Sequence, residues 1–144
     1  KGELIEYARY VENYYGTPRE YVEKMLDEGR DVILEIEIQG ALKVKKAFPD
    51  TLLLFVTPPD ATELKNRLVG RGTETLDVIK SRLDRACEEA EGMDSYDYLI
   101  VNDDLNECVE KMHTIIQGEH HRSFRNKAFM KEIKEDLQRL KGED

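Results

Sequence analysis

Short apolar runs alternating with amphipathic helical stretches predict an α/β fold, with strands lying parallel and joined by right-handed helical crossovers. Two observations carry this expectation. Residues 32–38, 52–56 and 98–101 are apolar runs of strand type, the last two nearly unbroken, as strands covered on both faces should be. Between them, one helix-start pattern recurs three times: an oxygen-bearing residue followed three positions later by Glu, as in Thr17…Glu20, Asp60…Glu63 and Asp104…Glu107.

Each element follows from these signals. Thr17 as cap and Pro18 as first helical residue open a helix that carries Tyr21, Val22, Met25 and Leu26 inward and stops at Gly29. In the strand at 32–38, Glu35 and Glu37 sit two apart and so share a face. Asp60 opens a helix with Leu64 and Leu68 on one side, ended by Gly70 and Gly72. A helix over 75–91 has Leu76, Ile79, Leu83, Ala86 and Ala90 as its stripe, and the helix after Asp104 has Val109, Met112, Ile115 and Ile116. The tail over 123–140 repeats the pattern with Phe124, Ala128, Ile133, Leu137 and Leu140, predicting a terminal amphipathic helix.

Composition narrows the function. With 144 residues, 40% hydrophobic and 37% charged, the chain suits one globular unit. A formal net charge of -9 argues against general nucleic-acid binding, which depends on Lys and Arg neutralising phosphates. A phosphate-bearing ligand would need a few placed arginines. No apolar stretch has the length of a membrane span and no secretory leader opens the chain, so a cytoplasmic location is expected. Cys87 and Cys108 have no close-spaced partner and read as reduced, part-buried thiols. His113, His120 and His121 lack metal-ligand spacing and are assigned to surface or helix packing.

Four groups of residues have the chemistry for a ligand. Glu35 and Glu37 lie near the carboxyl end of their strand, where open parallel sheets bind ligands, and such acids order a magnesium-bound water or accept hydrogen bonds from a base. Otherwise they are a solvated strand face. The segment Val69-Gly70-Arg71-Gly72-Thr73-Glu74-Thr75 sets an arginine between glycines, and Arg67, Arg71 and Arg82 together suit a polyphosphate. The plainer alternative is surface arginines answering nearby acids. Residues 3–17 crowd acids, tyrosines and a hydroxyl ahead of the first helix. One carboxylate there would accept both neighbouring donors of guanine, N1–H and the exocyclic amine, while a tyrosine hydroxyl meets a phosphate. Asn102 ends the last strand, where its amide suits an adenine edge or a turn.

Six ordered segments resemble guanylate kinases over nearly the whole chain: Leu4-Ile5-Glu6-Tyr7-Ala8, Asn13-Tyr14-Tyr15-Gly16-Thr17, Leu34-Glu35-Ile36-Glu37-Ile38-Gln39-Gly40, Pro58-Pro59, Gly70-Arg71-Gly72-Thr73-Glu74-Thr75 and Val101-Asn102-Asp103-Asp104. The resemblance implies an incomplete three-layer parallel sheet of the nucleoside monophosphate kinase type with a helical lid. Residues 1–30 would be the remnant of a GMP-binding region, 31–66 and 95–144 the core, and 67–94 the lid. It implies that Glu6 reads guanine, with Thr17 and Glu37 also on the base, that Tyr15 meets the GMP phosphate, and that Glu35 lies near magnesium and the phosphates. Arg67, Arg71 and Arg82 resemble the arginines that clamp ATP phosphates, with Arg71 and Arg82 on the group in transit, and Asn102 resembles an adenine contact. The activity implied is ATP-dependent phosphorylation of GMP with Mg2+.

Departures from the pattern shape the expectation. The family's glycine-rich phosphate loop ends in Gly-Lys, and no Gly here is followed by Lys. The chain begins at Lys1 rather than Met, as a truncated product would, and is expected to be inactive alone. By resemblance the family's first strand lies between those at 32–38 and 52–56. Its loss predicts complementation by the missing N-terminal segment, strand exchange between copies, or low stability. The competing reading is a non-catalytic guanylate-kinase-like module that recognises peptides, against which the Arg71 lid motif counts. A kinase for another monophosphate is disfavoured by Glu6, since a carboxylate suits guanine donors better than adenine.

Overall fold

The computed structural model describes residues 4–10, 13–70, 72 and 75–143, with side chains from Pro18 onward. Its backbone falls into two compact units, residues 1–99 and 100–144. The fold class is α/β, with a small parallel sheet and several helices.

The first unit opens with an antiparallel hairpin, β1 (Leu4–Tyr10) and β2 (Asn13–Pro18). Its backbone lies against the next two helices, α1 (Arg19–Asp27) and α2 (Ile38–Ala47). The sequence pattern predicts a Thr17 cap on the first helix. Instead Thr17 belongs to β2, and Pro18, with no side-chain cap bond, precedes a helix starting at Arg19. Pro18 lacks an N–H to pair and its ring holds φ at -64, so it serves as well at the boundary as one residue inside it. The other end matches the pattern: Gly29 has φ 80, its N–H reaches Leu26 O at 3.0 Å and Arg30 N–H reaches Met25 O at 3.0 Å.

The strand expected over 32–38 does not form. Residues 31–37 carry no regular element, and Ile38 opens α2. Exposure still alternates, with Ile33 70% exposed and Leu34 and Ile36 half-buried, so the period-two pattern survives without a ladder. A strand needs a neighbour for its backbone groups, and among the described residues none pairs with this segment. Helix α2 itself is not foreseen by the sequence pattern. Among the described residues of this unit, Val22, Ala41, Val44, Leu53 and Ile79 are the buried apolar side chains.

The small sheet pairs β3 (Leu54–Thr57) with β4 (Tyr98–Val101). Its approach is fixed by Leu53 and Asp97. The Leu53 carbonyl accepts from Asp97 N–H at 2.9 Å and Tyr98 N–H at 3.1 Å, while Leu53 N–H donates to Asp97 Oδ2 at 2.8 Å. Complete cover of both faces is not found: Tyr98 is 41%, Leu99 60% and Val101 41% exposed, with Ile100 alone of β4 buried. Two strands present too little sheet for a layer on each side.

Helices α3 (Ala61–Gly70) and α4 (Leu76–Ala90) stand where the Asp60 cap and the apolar stripe over 75–91 predict. Asp60 Oδ1 accepts from Glu63 N–H at 2.7 Å, and Thr75 Oγ1 from Val78 N–H at 3.4 Å. Between them Gly72 takes φ 63, a conformation that favours glycine.

In the second unit, Asp104 caps α5 (Leu105–Glu119) through Glu107 N–H at 2.9 Å. A 3-10 turn, Ser123–Arg125, leads into α6 (Lys127–Lys141). Buried Glu119 pairs with Arg125 at 3.2 Å and Arg122 at 3.6 Å, and both guanidinium groups lie over the Phe124 ring. The stripe predicted for α6 exists, yet Ile133, Leu137 and Leu140 are 43%, 61% and 63% exposed. The cysteines are free, but neither is part-buried: Cys87 is exposed and Cys108 buried. No helix among the described residues is long and apolar enough to cross a membrane.

Candidate functional site

The N-terminus of α2 and the middle of α4 meet through Glu37. Its backbone is extended, φ -73 and ψ 168, so its carboxylate turns back over the first helical turn. Oε2 accepts from Gln39 N–H at 2.7 Å and Oε1 from Gly40 N–H at 2.7 Å. From α4, Arg85 Nη2 donates to Oε2 at 2.9 Å. The two side chains are 13% and 17% exposed, so this pair is far less screened than a surface bridge.

Arg85 also gathers acids on its own helix. Nη1 reaches Glu88 Oε2 at 3.4 Å and Nε lies 3.5 Å from Glu89 Oε1. Burial pushes the Glu89 carboxyl above its ordinary value, and attraction to Arg85 does not bring it back. Nearby, burial and then the charges of Glu89 and Glu37 raise the Tyr96 phenol, whose ring packs edge-on to Phe55 at 5.1 Å. The sequence pattern does not single out Arg85. A signal was available: it lies three residues beyond Arg82 on one helix, with acids at 88 and 89.

The expected site residues fall into three groups. Glu6 and Thr17 are register partners across β1 and β2, and Tyr15 stands two positions along, opposite Ala8. Opposed Cα atoms of an antiparallel pair lie about 4.5–5.5 Å apart, so the hairpin brings the backbone of all three to one stretch of ladder. Their side chains lie outside the described residues, as does Arg71. The sequence pattern marks only acids, tyrosines and a hydroxyl crowded ahead of the first helix and does not foresee the hairpin, although its Tyr and Ile content suits a strand.

Glu35 and Glu37 do not share a face as expected. Glu35 is exposed, whereas Glu37 is drawn inward as a helix cap, because without a ladder the period-two rule ends where the helix begins. Arg82 is half-buried on α4, one turn before Arg85. Arg67, in the last turn of α3, donates to Glu63 Oε1 at 2.9 Å. Such i,i+4 pairs contribute only about 0.3–0.5 kcal/mol. Asn102 follows β4 in the second unit and is half-buried.

Among the described residues no group of three His, Cys, Asp or Glu side chains could hold a metal ion. The arrangement offers a helix-capping carboxylate tied to a guanidinium, with further arginines on α3 and α4.

Comparison with known proteins places these features in a family. The family model described as guanylate kinase matches residues 1–119. A guanylate kinase of Bacillus cereus is 54% identical over 134 residues, which is 93% of this chain and 65% of that protein. One from Listeria innocua is 50% identical over 137 residues, 95% of this chain and 67% of that protein. The crystal structure of guanylate kinase from Anaplasma phagocytophilum superposes with a TM-score of 0.72 at 32% identity, covering 86% of this chain and 60% of that one. The chain thus spans about 65% of the length of relatives such as the Bacillus protein. With a family match over residues 1–119, on a fold of the same class, the chain belongs to the guanylate kinase family.

Proposed function

We propose that the protein containing this chain transfers the terminal phosphate of ATP to GMP, giving GDP. The observation that carries the reading is the family match over residues 1–119, which includes every segment assigned to nucleotide contact. The hairpin register, with Glu6 opposite Thr17, supports it from the geometry.

Phosphoryl transfer asks little covalent chemistry of a protein, so positioning and positive charge carry the catalysis. In this proposal Glu6 takes the N1–H and exocyclic amine of guanine, with Thr17 and Glu37 beside it on the base. Tyr15 donates to the GMP phosphate. Arg67, Arg71 and Arg82 hold the ATP phosphates, Arg71 and Arg82 following the phosphoryl group as its charge spreads in the transition state. Asn102 is proposed, by itself, as an adenine contact. Mg2+ is proposed to arrive with ATP, bound by phosphates and water, with Glu35 reaching it through water. A cytoplasmic location belongs to the same proposal. So does inactivity of the 144-residue chain alone, since no Gly-Lys phosphate loop occurs in it.

Two measurements test this. Calorimetry of the chain with GMP, AMP and a phosphopeptide should give GMP-selective binding that Glu6→Ala abolishes. Transfer from ATP to GMP should appear in the intact protein and be absent from the chain alone. Preference for the phosphopeptide, or an intact protein that leaves GMP untouched, overturns the assignment.

A further inference from the structure

We propose that Arg85 is a positioning residue for the nucleobase site, pinning the Glu37 carboxylate so that a single acceptor position stays open to a purine N–H. This inference rests on the GMP reading above. An ionised carboxylate has about four acceptor positions. Three of those on Glu37 are taken, two on Oε2 by Gln39 N–H and Arg85, and one on Oε1 by Gly40 N–H. What remains lies on Oε1. Glu37 therefore cannot take two adjacent donors of a base through both its oxygens. It fits one N–H, and a base that presents a neighbouring pair needs a second carboxylate for it.

Three fixed donors also determine where that last acceptor points. Two belong to the first turn of α2 and would hold the carboxylate against the helix end alone. The third comes from 48 residues away and sets its rotation. At 17% exposure, Arg85 is held by three acids and has little freedom to swing away.

The test is steady-state kinetics of the intact protein carrying Arg85→Met, Arg85→Lys, Glu37→Gln, and Arg85→Met with Glu37→Gln. Arg85→Met should raise the KM for GMP about tenfold, the scale of one lost charge-assisted hydrogen bond, with kcat and the KM for ATP within about twofold of the parent. Arg85→Lys should recover part of the loss, since it restores the charge but not the planar fork. In the Glu37→Gln background Arg85→Met should add almost nothing. If Arg85→Met does not fold, Arg85→Gln replaces it in the same comparison. An unchanged KM for GMP, or an equal penalty with and without the Glu37 carboxylate, overturns the role of Arg85 while leaving the GMP assignment standing. A parent protein with no GMP turnover overturns both.

Discussion

Replacing Glu37 by Ala is the sharpest probe of the first unit, because it removes a helix cap and a cross-chain ion pair together. Loss of an N-cap side chain costs about 1 kcal/mol, and Glu37 satisfies two N–H groups at 2.7 Å. Removing one partner of a fully buried ion pair costs about 3–5 kcal/mol, because the other charge is stranded. Arg85 is not stranded, since Glu88 at 3.4 Å and Glu89 at 3.5 Å remain, so about 1–2 kcal/mol is the appropriate share. Glu37→Ala should therefore destabilise by about 2–3 kcal/mol. In urea, with an m-value of about 2 kcal/mol/M, the unfolding midpoint should drop by about 1 M or slightly more. Glu37→Gln, which keeps one cap acceptor, should lose about half as much. A double-mutant cycle with Arg85→Met should give a coupling of about 1 kcal/mol or more. A Glu37→Ala midpoint indistinguishable from the parent, or zero coupling to Arg85, would refute the reasoning. Glu35→Ala, at an exposed position two residues away, is the control and should stay within about 0.5 kcal/mol of the parent.

Three other groups give further tests. Glu119→Ala removes a buried carboxylate but frees two arginines that reach solvent, so urea unfolding should show a loss of about 2 kcal/mol. Glu89 is a pH-sensitive group: burial raises its pKa above the ordinary 4.5, so the folded state binds the proton more tightly than the unfolded one. Its contribution is then most favourable below 4.5 and is lost as pH rises through the raised folded value. Relative to the parent, Glu89→Gln should gain stability in urea titrations moving from about pH 4 to about pH 7; a relative loss over that range would contradict the assignment. Gly29→Ala has open space for its Cβ but φ 80, so thermal unfolding should reveal a purely backbone cost of about 1 kcal/mol, smaller for Gly29→Asn.

By itself the sequence determined what is local. Caps at Asp60 and Asp104, the glycine stop at Gly29 and the apolar periods of α3 to α6 were all legible, because cap and period act within one or two turns. The ordered motifs also sufficed for the family and fold class. What sits opposite what was decided only in three dimensions. The run at 32–38 carries strand-type residues, yet a strand exists only with a partner for its backbone, and Glu37 went to the cap of a helix that its neighbours had concealed. Glu6 meets Thr17 through hairpin register, and Arg85 meets Glu37 across 48 residues, a contact that no local spacing encodes. Pairing across the chain depends on which backbone groups and charges find each other after folding, and burial then makes the Glu37–Arg85 pair count where an exposed one would not.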